Sequence, residues 1–376
     1  MTDWTRLVRP SLIGLEPYRP GPSLEELKAA YGLDEIVKLN WNEGLEGPFP
    51  GIEEEVLAEL ERAWIYPAEA YTDLRESVAA WVGTTPERIV PSHGIQALIA
   101  TVAHTFLETG AKVVLTDPTY GLYATTCAAA GARIVQVPSR HHRHDVDALA
   151  AAAREAGARL VWLCDPNNPT GTLVERDEWE RLLAGLPERC AVVVDEAYVE
   201  YVDPEVHLDR IRDVEAGAPV ILMRTFSKVF GLAGLRLGYA IVDDPLASLL
   251  DVVQEPFNVN RAALAAGRAS LRRSGLVDER RLANEAGRER LADRLREAGA
   301  EPVPSQANFL LVDVGVDDVA LADGLARRGI LVRAGSEFGL GGFVRITTGP
   351  IPLMERVAAE LTELRAGLLA AGAPTA

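Results

Sequence analysis

Lysine is almost absent from this sequence. Among 376 residues there are only Lys28, Lys38, Lys112 and Lys228, and the formal net charge is −17. A protein that grips nucleic-acid phosphates needs clustered cations, so this charge argues against that class of partner. Acidity of this degree favours solubility and is silent about the fold. Cysteine is as scarce: Cys127, Cys164 and Cys190 are odd in number and have no CxxC spacing. That argues against a disulfide framework or a zinc site and fits a reducing compartment. Long hydrophobic runs are missing too. No stretch approaches the roughly 18 apolar residues of a membrane span. The first thirty residues lack an apolar run behind a basic start, the mark of a secretory signal. The expectation is a cytoplasmic protein with neither membrane nor nucleic acid as partner. What is present is ordinary globular composition, 48% hydrophobic and 25% charged, with length enough for about two or three domains.

Short β-rich runs alternate with helical segments rich in Ala, Leu and Arg. The strand candidates are 111–115, 132–137, 159–164, 190–194, 220–223 and 237–242. Most are near-continuously apolar, as parallel strands covered on both faces must be. Segments between them, such as Glu175–Ala184, carry helical periodicity. This βα alternation reads as a doubly wound α/β sheet. After Pro245 the chain turns helical to about Ala300. A smaller α+β pattern follows: a strand in ANFLLVDV, a helix in DVALADGLARRG, strands in ILVRA and FVRITTG, and a last helix from about Pro352 to Leu369. The predicted organisation is an N-terminal arm over 1–40, a large domain over 41–260, and a small domain over 261–376 that includes an interdomain helix.

Four segments carry chemistry, each just after a predicted strand, where ligands of open α/β sheets bind. In VVVDEAY, Asp195 ends a buried strand. It either caps a turn or is a buried carboxylate in need of a cation, a role that a protonated pyridine nitrogen would fill, making the ring an electron sink. In MRTFSKVFGLAGLRLG, Lys228 stands between Thr225 and Ser227 on one side and Arg236 among Gly231, Gly234 and Gly238 on the other. A lysine in an ordinary loop is a solvated cation. At a strand end, beside hydroxyls and a guanidinium, it fits a Schiff-base lysine next to a phosphate site. In CDPNNPTG the turn chemistry around Asn168 aims an amide from a strand end. In PSHGIQAL, Gly94 precedes a helix near Ile95, whose free N–H groups suit phosphate. In DPTYGLY, Tyr120 either packs in the core or stacks on a planar ring. His141, His142 and His144 read as a solvated loop rather than a metal site.

Taken together, the segments GLEPYRPG, KLNWNEG, YPAEAYTDLR, DPTYGLY, DPNNPTG, VVVDEAY, TFSKVFGLAGLRLG, ANF and VRITTG resemble, in content and order, the class I/II aminotransferases, and within them the histidinol-phosphate aminotransferases. The resemblance implies the type I fold of pyridoxal-phosphate (PLP) transferases: a large cofactor-binding domain with a mostly parallel seven-stranded sheet, plus a small α+β domain. It assigns catalytic roles to Lys228, which would carry the cofactor, to Asp195, facing the pyridine nitrogen, and to Tyr198, which with Asn168 would hydrogen-bond the ring oxygen. Tyr120 would stack on the ring. Thr225, Ser227, Arg236 and the backbone around Ile95 and Gln96 would hold the cofactor phosphate, joined by Tyr66 from a neighbouring subunit, which implies a homodimer with shared sites. Arg345 and Arg333 would bind the substrate's anionic groups, and Tyr18 and Asn42 would touch substrate from the arm.

The implied reaction is transamination from histidinol phosphate to a 2-oxo acid, 2-oxoglutarate above all. An aromatic or specialised amino-acid aminotransferase and a threonine-phosphate-type decarboxylase share many of these motifs. Two departures stand out. The arm reads Asn42-Glu43-Gly44-Leu45 where the family usually has Asn-Glu-Asn-Pro, and the phosphate loop reads Gly94-Ile95-Gln96-Ala97 where it usually has Gly-Ser-Asp-Glu. A PLP-binding regulator would need a basic DNA-binding domain, and a dehydrogenase would need GxGxxG after the first strand; neither pattern is present.

Overall fold

The computed structural model describes residues 2–16, 21–68 and 70–372; Tyr18 lies outside them. Seven strands form the central sheet, in the spatial order Ile89–Ser92, Gly238–Ile241, Val220–Thr225, Ala191–Asp195, Leu160–Cys164, Lys112–Asp117, Arg133–Pro138. From Val220–Thr225 to Arg133–Pro138 every pairing is parallel. Gly238–Ile241 runs antiparallel to both neighbours, so the sheet is mostly rather than wholly parallel. The connection before it, residues 226–237, holds only a 3-10 turn at Ala233–Leu235. Without a crossover helix the chain folds straight back. The sequence gives no strand signal at Ile89–Ser92, a four-residue run containing Pro91.

The three central strands are buried along their whole length. Their period of two deals side chains to two cores. Val161, Leu163, Val192, Val194, Val220 and Leu222 join one. Leu160, Trp162, Cys164, Ala191, Val193, Ile221 and Met223 join the other, together with Ile95, Tyr123 and Tyr198. One further step of the same parity puts Asp195 and Thr225 on this second face, at the carboxyl ends of adjacent strands.

A second, antiparallel sheet has the order Arg333–Ala334, Phe343–Thr347, Phe309–Asp313, Glu301–Pro302. It packs with the helices Gly275–Glu297, Asp318–Arg327 and Ile351–Gly372 around its own core. The segment ILVRA is two short strands, not one. Ile330–Leu331 pairs in parallel with Val37–Lys38, so the arm adds a strand and Leu39 to this unit. In helix Gly275–Glu297, a Cβ at Gly287 would meet the Gly349 carbonyl oxygen at 1.8 Å. The glycine lets the helix lie against the loop that follows Arg345. No helix among the described residues is long and apolar enough to cross a membrane.

Candidate active site

Lys228 follows its strand by three residues and is half-buried. Its Nζ donates to the Trp41 carbonyl oxygen (3.1 Å) and lies 5.5 Å from the centre of the Tyr198 ring. Desolvation in the cleft, helped by the nearby Arg345 charge, pushes the ammonium down to about 8. Asp195 is buried at the end of its strand. Its Oδ1 accepts from the Ala197 N–H (3.0 Å) and its Oδ2 from the Tyr123 hydroxyl (2.5 Å). Burial raises its carboxyl to about 6, against the pull of those two donors and of Lys228. No ion pair reaches Asp195 among the described residues, so its charge still lacks a cation in contact.

The Tyr198 hydroxyl accepts from Asn168 Nδ2 (3.4 Å) and Asn42 Nδ2 (3.2 Å). Burial keeps this phenol neutral. The turn carrying Asn168 is tied to the loop before Tyr120 by Asn167. Its Nδ2 donates to Thr170 Oγ1 (3.0 Å) and to the Pro118 carbonyl (3.3 Å), and its Oδ1 accepts from Thr119 Oγ1 (2.8 Å). Tyr120 stands edge-on to Tyr123 with ring centres 5.4 Å apart, and its hydroxyl accepts from Gln96 Nε2 (3.0 Å).

Helix Gly94–Phe106 begins without a side-chain cap, so its first N–H groups are available to an anion. Gly94 has φ +78°, and a Cβ there would sit 2.8 Å from Arg236 Nη2. A Cβ at Gly238 would stand 3.1 Å from the Ile95 nitrogen. Bare backbone at both glycines therefore brings the helix start against Arg236. Arg236 is itself left-handed, φ +57°, a conformation that costs about 1–3 kcal/mol for a residue other than glycine. Thr225 Oγ1 donates to Ser227 Oγ (2.9 Å) and accepts from the Ser227 N–H (3.0 Å). Hydroxyls, guanidinium and free N–H groups form a cradle with the chemistry of a phosphate site.

Arg345 is 3% exposed. It donates to Asn168 Oδ1 (2.5 Å) and the Asn40 carbonyl (2.6 Å), while its Nε has no hydrogen-bond partner among the described residues. Burial, and then the charge of Arg333, press it down to about 10. Arg333 is its direct partner across the antiparallel pair. Like charges in that position repel, and among the described residues Glu337 (2.9 Å) is the carboxylate that pairs with Arg333. The two guanidiniums concentrate positive charge on one edge of the cleft. From the arm, Asn42 donates its backbone N–H to Thr347 Oγ1 (3.0 Å), and Asn308 Nδ2 donates to the Asn42 carbonyl (3.2 Å). A Cβ at Gly44 would strike the Lys228 carbonyl oxygen at 2.4 Å, so this departure from the family pattern lets the arm lie flush on the lysine loop.

Tyr66 is apart from this cluster. It is 76% exposed and stacked on Phe257 at 4.8 Å, in a segment where Trp64, Leu57 and Leu60 are also exposed.

Several residues carried no decisive sequence signal. Tyr123 is one: only its place three residues after Tyr120, at the start of helix Leu122–Ala129, hinted at a shared face. Below the strand ends, Arg210 pairs with Asp165 and Glu196 (3.2 Å to the latter), and Arg224 pairs with Glu196 (2.8 Å), all buried. His144 corrects the reading of its cluster as a solvated loop. It is buried, its Nε2 donates to the Cys164 carbonyl (2.8 Å), and its Nδ1 therefore accepts from Thr116 Oγ1 (2.6 Å). Desolvation lowers its pKa and keeps it neutral. No group among the described residues is fit to hold a metal ion.

Comparison with known proteins agrees with this geometry. The family "Aminotransferase class I and II" matches residues 34–361. A histidinol-phosphate aminotransferase of Geobacillus thermodenitrificans is 37% identical over 350 residues, 93% of this chain and 96% of its own. That of Moorella thermoacetica is 36% identical over 342 residues, covering 91% and 88%. The crystal structure of histidinol-phosphate aminotransferase from Sinorhizobium meliloti, in complex with pyridoxal-5'-phosphate, superposes with a TM-score of 0.87 at 30% identity, over 96% of this chain and 98% of that one. With a buried carboxylate, a cleft lysine and an anion cradle at the ends of its parallel strands, this chain belongs to the class I and II aminotransferase family.

Proposed function

We propose that this chain is a PLP-dependent aminotransferase that takes its amino group from histidinol phosphate and passes it to a 2-oxo acid, 2-oxoglutarate above all. One observation carries the reading. A continuous set of contacts runs from Lys228 over the Tyr198 ring, through Asn168, to Arg345 and its neighbour Arg333. A reactive amine and a two-arginine anion site thus share one cleft, as an amine donor bearing a phosphate requires. The relatives named for histidinol phosphate support the same choice of donor.

The residues fit the cofactor. Asp195 has a buried charge without a contacting cation among the described residues, and Gly94 and Gly238 leave the helix start bare beside Arg236. When bound, PLP supplies an aldehyde that takes up the amine and a ring that withdraws electrons. Asp195 would hold the proton on the ring nitrogen. Asn168 and Tyr198 would hydrogen-bond the ring oxygen, and Tyr120 would lie against the ring. Thr225, Ser227, Arg236 and the N–H groups near Ile95 and Gln96 would hold the phosphate. Lys228, the attachment point, would then act through Nζ as the base that removes the substrate α-proton. Each hydrogen bond aimed at developing charge contributes roughly 3 kcal/mol.

The exposed Tyr66, with Trp64, Leu57 and Leu60, supports a homodimer in which Tyr66 reaches the partner's cofactor phosphate. Three free, buried thiols fit a cytoplasmic setting. The test is a donor screen with 2-oxoglutarate. Histidinol phosphate should exceed histidinol and the aromatic amino acids in kcat/KM by at least a hundredfold. Higher kcat/KM for an aromatic amino acid, or release of CO2 from a phosphorylated amino acid, would replace this substrate assignment.

A further inference from the structure

We infer that Tyr123 is a positioning residue: its phenol fixes one oxygen of Asp195 and keeps that carboxylate ionised for the ring nitrogen of the cofactor. The inference rests on the reading of Asp195 given above and extends it to a residue outside the strand-end motifs.

A carboxylate near a cationic nitrogen is useful only if it is charged and correctly turned. Asp195 is 3% exposed, where water cannot supply either condition. The Ala197 N–H fixes Oδ1 and the Tyr123 hydroxyl fixes Oδ2. Two donors at the two oxygens determine the plane of the carboxylate. Each oxygen keeps a lone pair for a third donor.

Tyr123 is itself held. It is fully buried, and its ring stacks on Trp162 with centres 4.9 Å apart and planes 13° from parallel. Tyr120 packs against it nearly perpendicular, with ring centres 5.4 Å apart. Trp162 and Asp195 rise from neighbouring strands on the same face of the sheet. The phenol is therefore placed by two rings and cannot swing away. Burial and the adjacent Asp195 charge hold it well above the usual phenol range, so it remains a donor at every working pH.

The other titratable groups facing Asp195 are few. Lys228 favours the charged carboxylate, and Glu196 opposes it. Cys164 and Tyr198 are both kept neutral by burial. Tyr123 is the strongest influence favouring ionisation at a carboxyl already raised to about 6.

The experiment measures PLP binding to the apoprotein by absorbance titration at a series of pH values. In the wild type, affinity should fall as the pH drops through about 6 and Asp195 takes up a proton. A hydrogen bond to a charged group is worth enough to move that midpoint by about one to two pH units. Tyr123→Phe should therefore shift it upward by that amount. Replacing Tyr123 with a ring-fluorinated tyrosine, a stronger donor of nearly equal shape, should shift it downward, which guards against a fault in folding. Asp195→Asn should abolish the midpoint. If Asp195→Asn abolishes it while both Tyr123 variants leave it in place, the role of Tyr123 is refuted and that of Asp195 survives. An unchanged midpoint in Asp195→Asn refutes both.

Discussion

Arg345 gives a prediction in which function and stability part company. Replacing it with glutamine removes a buried cation whose hydrogen-bond acceptors among the described residues are Asn168 Oδ1 and the Asn40 carbonyl. No carboxylate among the described residues forms an ion pair with it, and Arg333 stands beside it. Burial lowers its pKa to about 10, which amounts to about 3 kcal/mol against the charged form. The two hydrogen bonds return roughly 1–3 kcal/mol each. These oppose one another, so Arg345→Gln should leave the stability of the unliganded protein within about 1–2 kcal/mol of wild type. Anion binding should suffer far more. Two charge-assisted bonds to the ligand are worth roughly 3–6 kcal/mol, a loss of roughly a hundred- to ten-thousand-fold in kcat/KM for the phosphorylated donor. Arg224→Gln is the control. Its guanidinium is paired with Glu196 at 2.8 Å, and losing it leaves two buried carboxylates, Glu196 and Asp165, to share Arg210, at a cost of about 3–5 kcal/mol. Thermal denaturation of both variants, with steady-state kinetics of Arg345→Gln, checks the pair. Equal destabilisation by the two variants, or less than a threefold change in kcat/KM for Arg345→Gln, would refute the reasoning.

Further outcomes follow from the same structure. Gly231→Ala should lower stability by at least about 2 kcal/mol in chemical denaturation, because φ is +68° and the new Cβ would lie 1.9 Å from the Gly47 carbonyl oxygen. The rate at which apoprotein captures PLP should rise with pH and level off above about 8, as Lys228 loses its proton; stopped-flow absorbance reads this, and a flat profile contradicts it. Glu200 has both carboxylate oxygens buried without a hydrogen-bond partner among the described residues. Burial raises its pKa from 4.5 to about 7. Its protonated form favours the fold, so stability should be full below pH 4.5 and fall as the pH rises through 7, by up to about 3 kcal/mol. Glu200→Gln should flatten that fall in melting curves taken from pH 5 to 8.

Much of the α/β architecture was legible because buried parallel strands are continuous apolar runs, and the expected mostly parallel seven-stranded sheet is present. Strand direction was less legible. Gly238–Ile241 is as apolar as its neighbours, and only the absence of a crossover helix marks it as antiparallel. Ile89–Ser92 carries a proline and too few residues to register. The strand Val37–Lys38 is invisible locally, since its partner lies near residue 330. At the site, motif residues after strand ends were readable, whereas their supports were not. Arg224 lies in an apolar strand and Glu196 beside Asp195, and nothing in sequence links either to Arg210 or Asp165. Tyr123 and His144 depend on neighbours in other strands in the same way. The histidine triplet looked uniformly polar, yet Thr116 and a strand carbonyl draw its last member inside.

The most direct test uses the scarcity of lysine. Reconstitution with PLP, reduction with borohydride and peptide mass spectrometry should place the cofactor on the peptide containing Lys228, and Lys228→Ala should leave no labelled peptide. Label on Lys28, Lys38 or Lys112, or none in the wild type, would contradict the account.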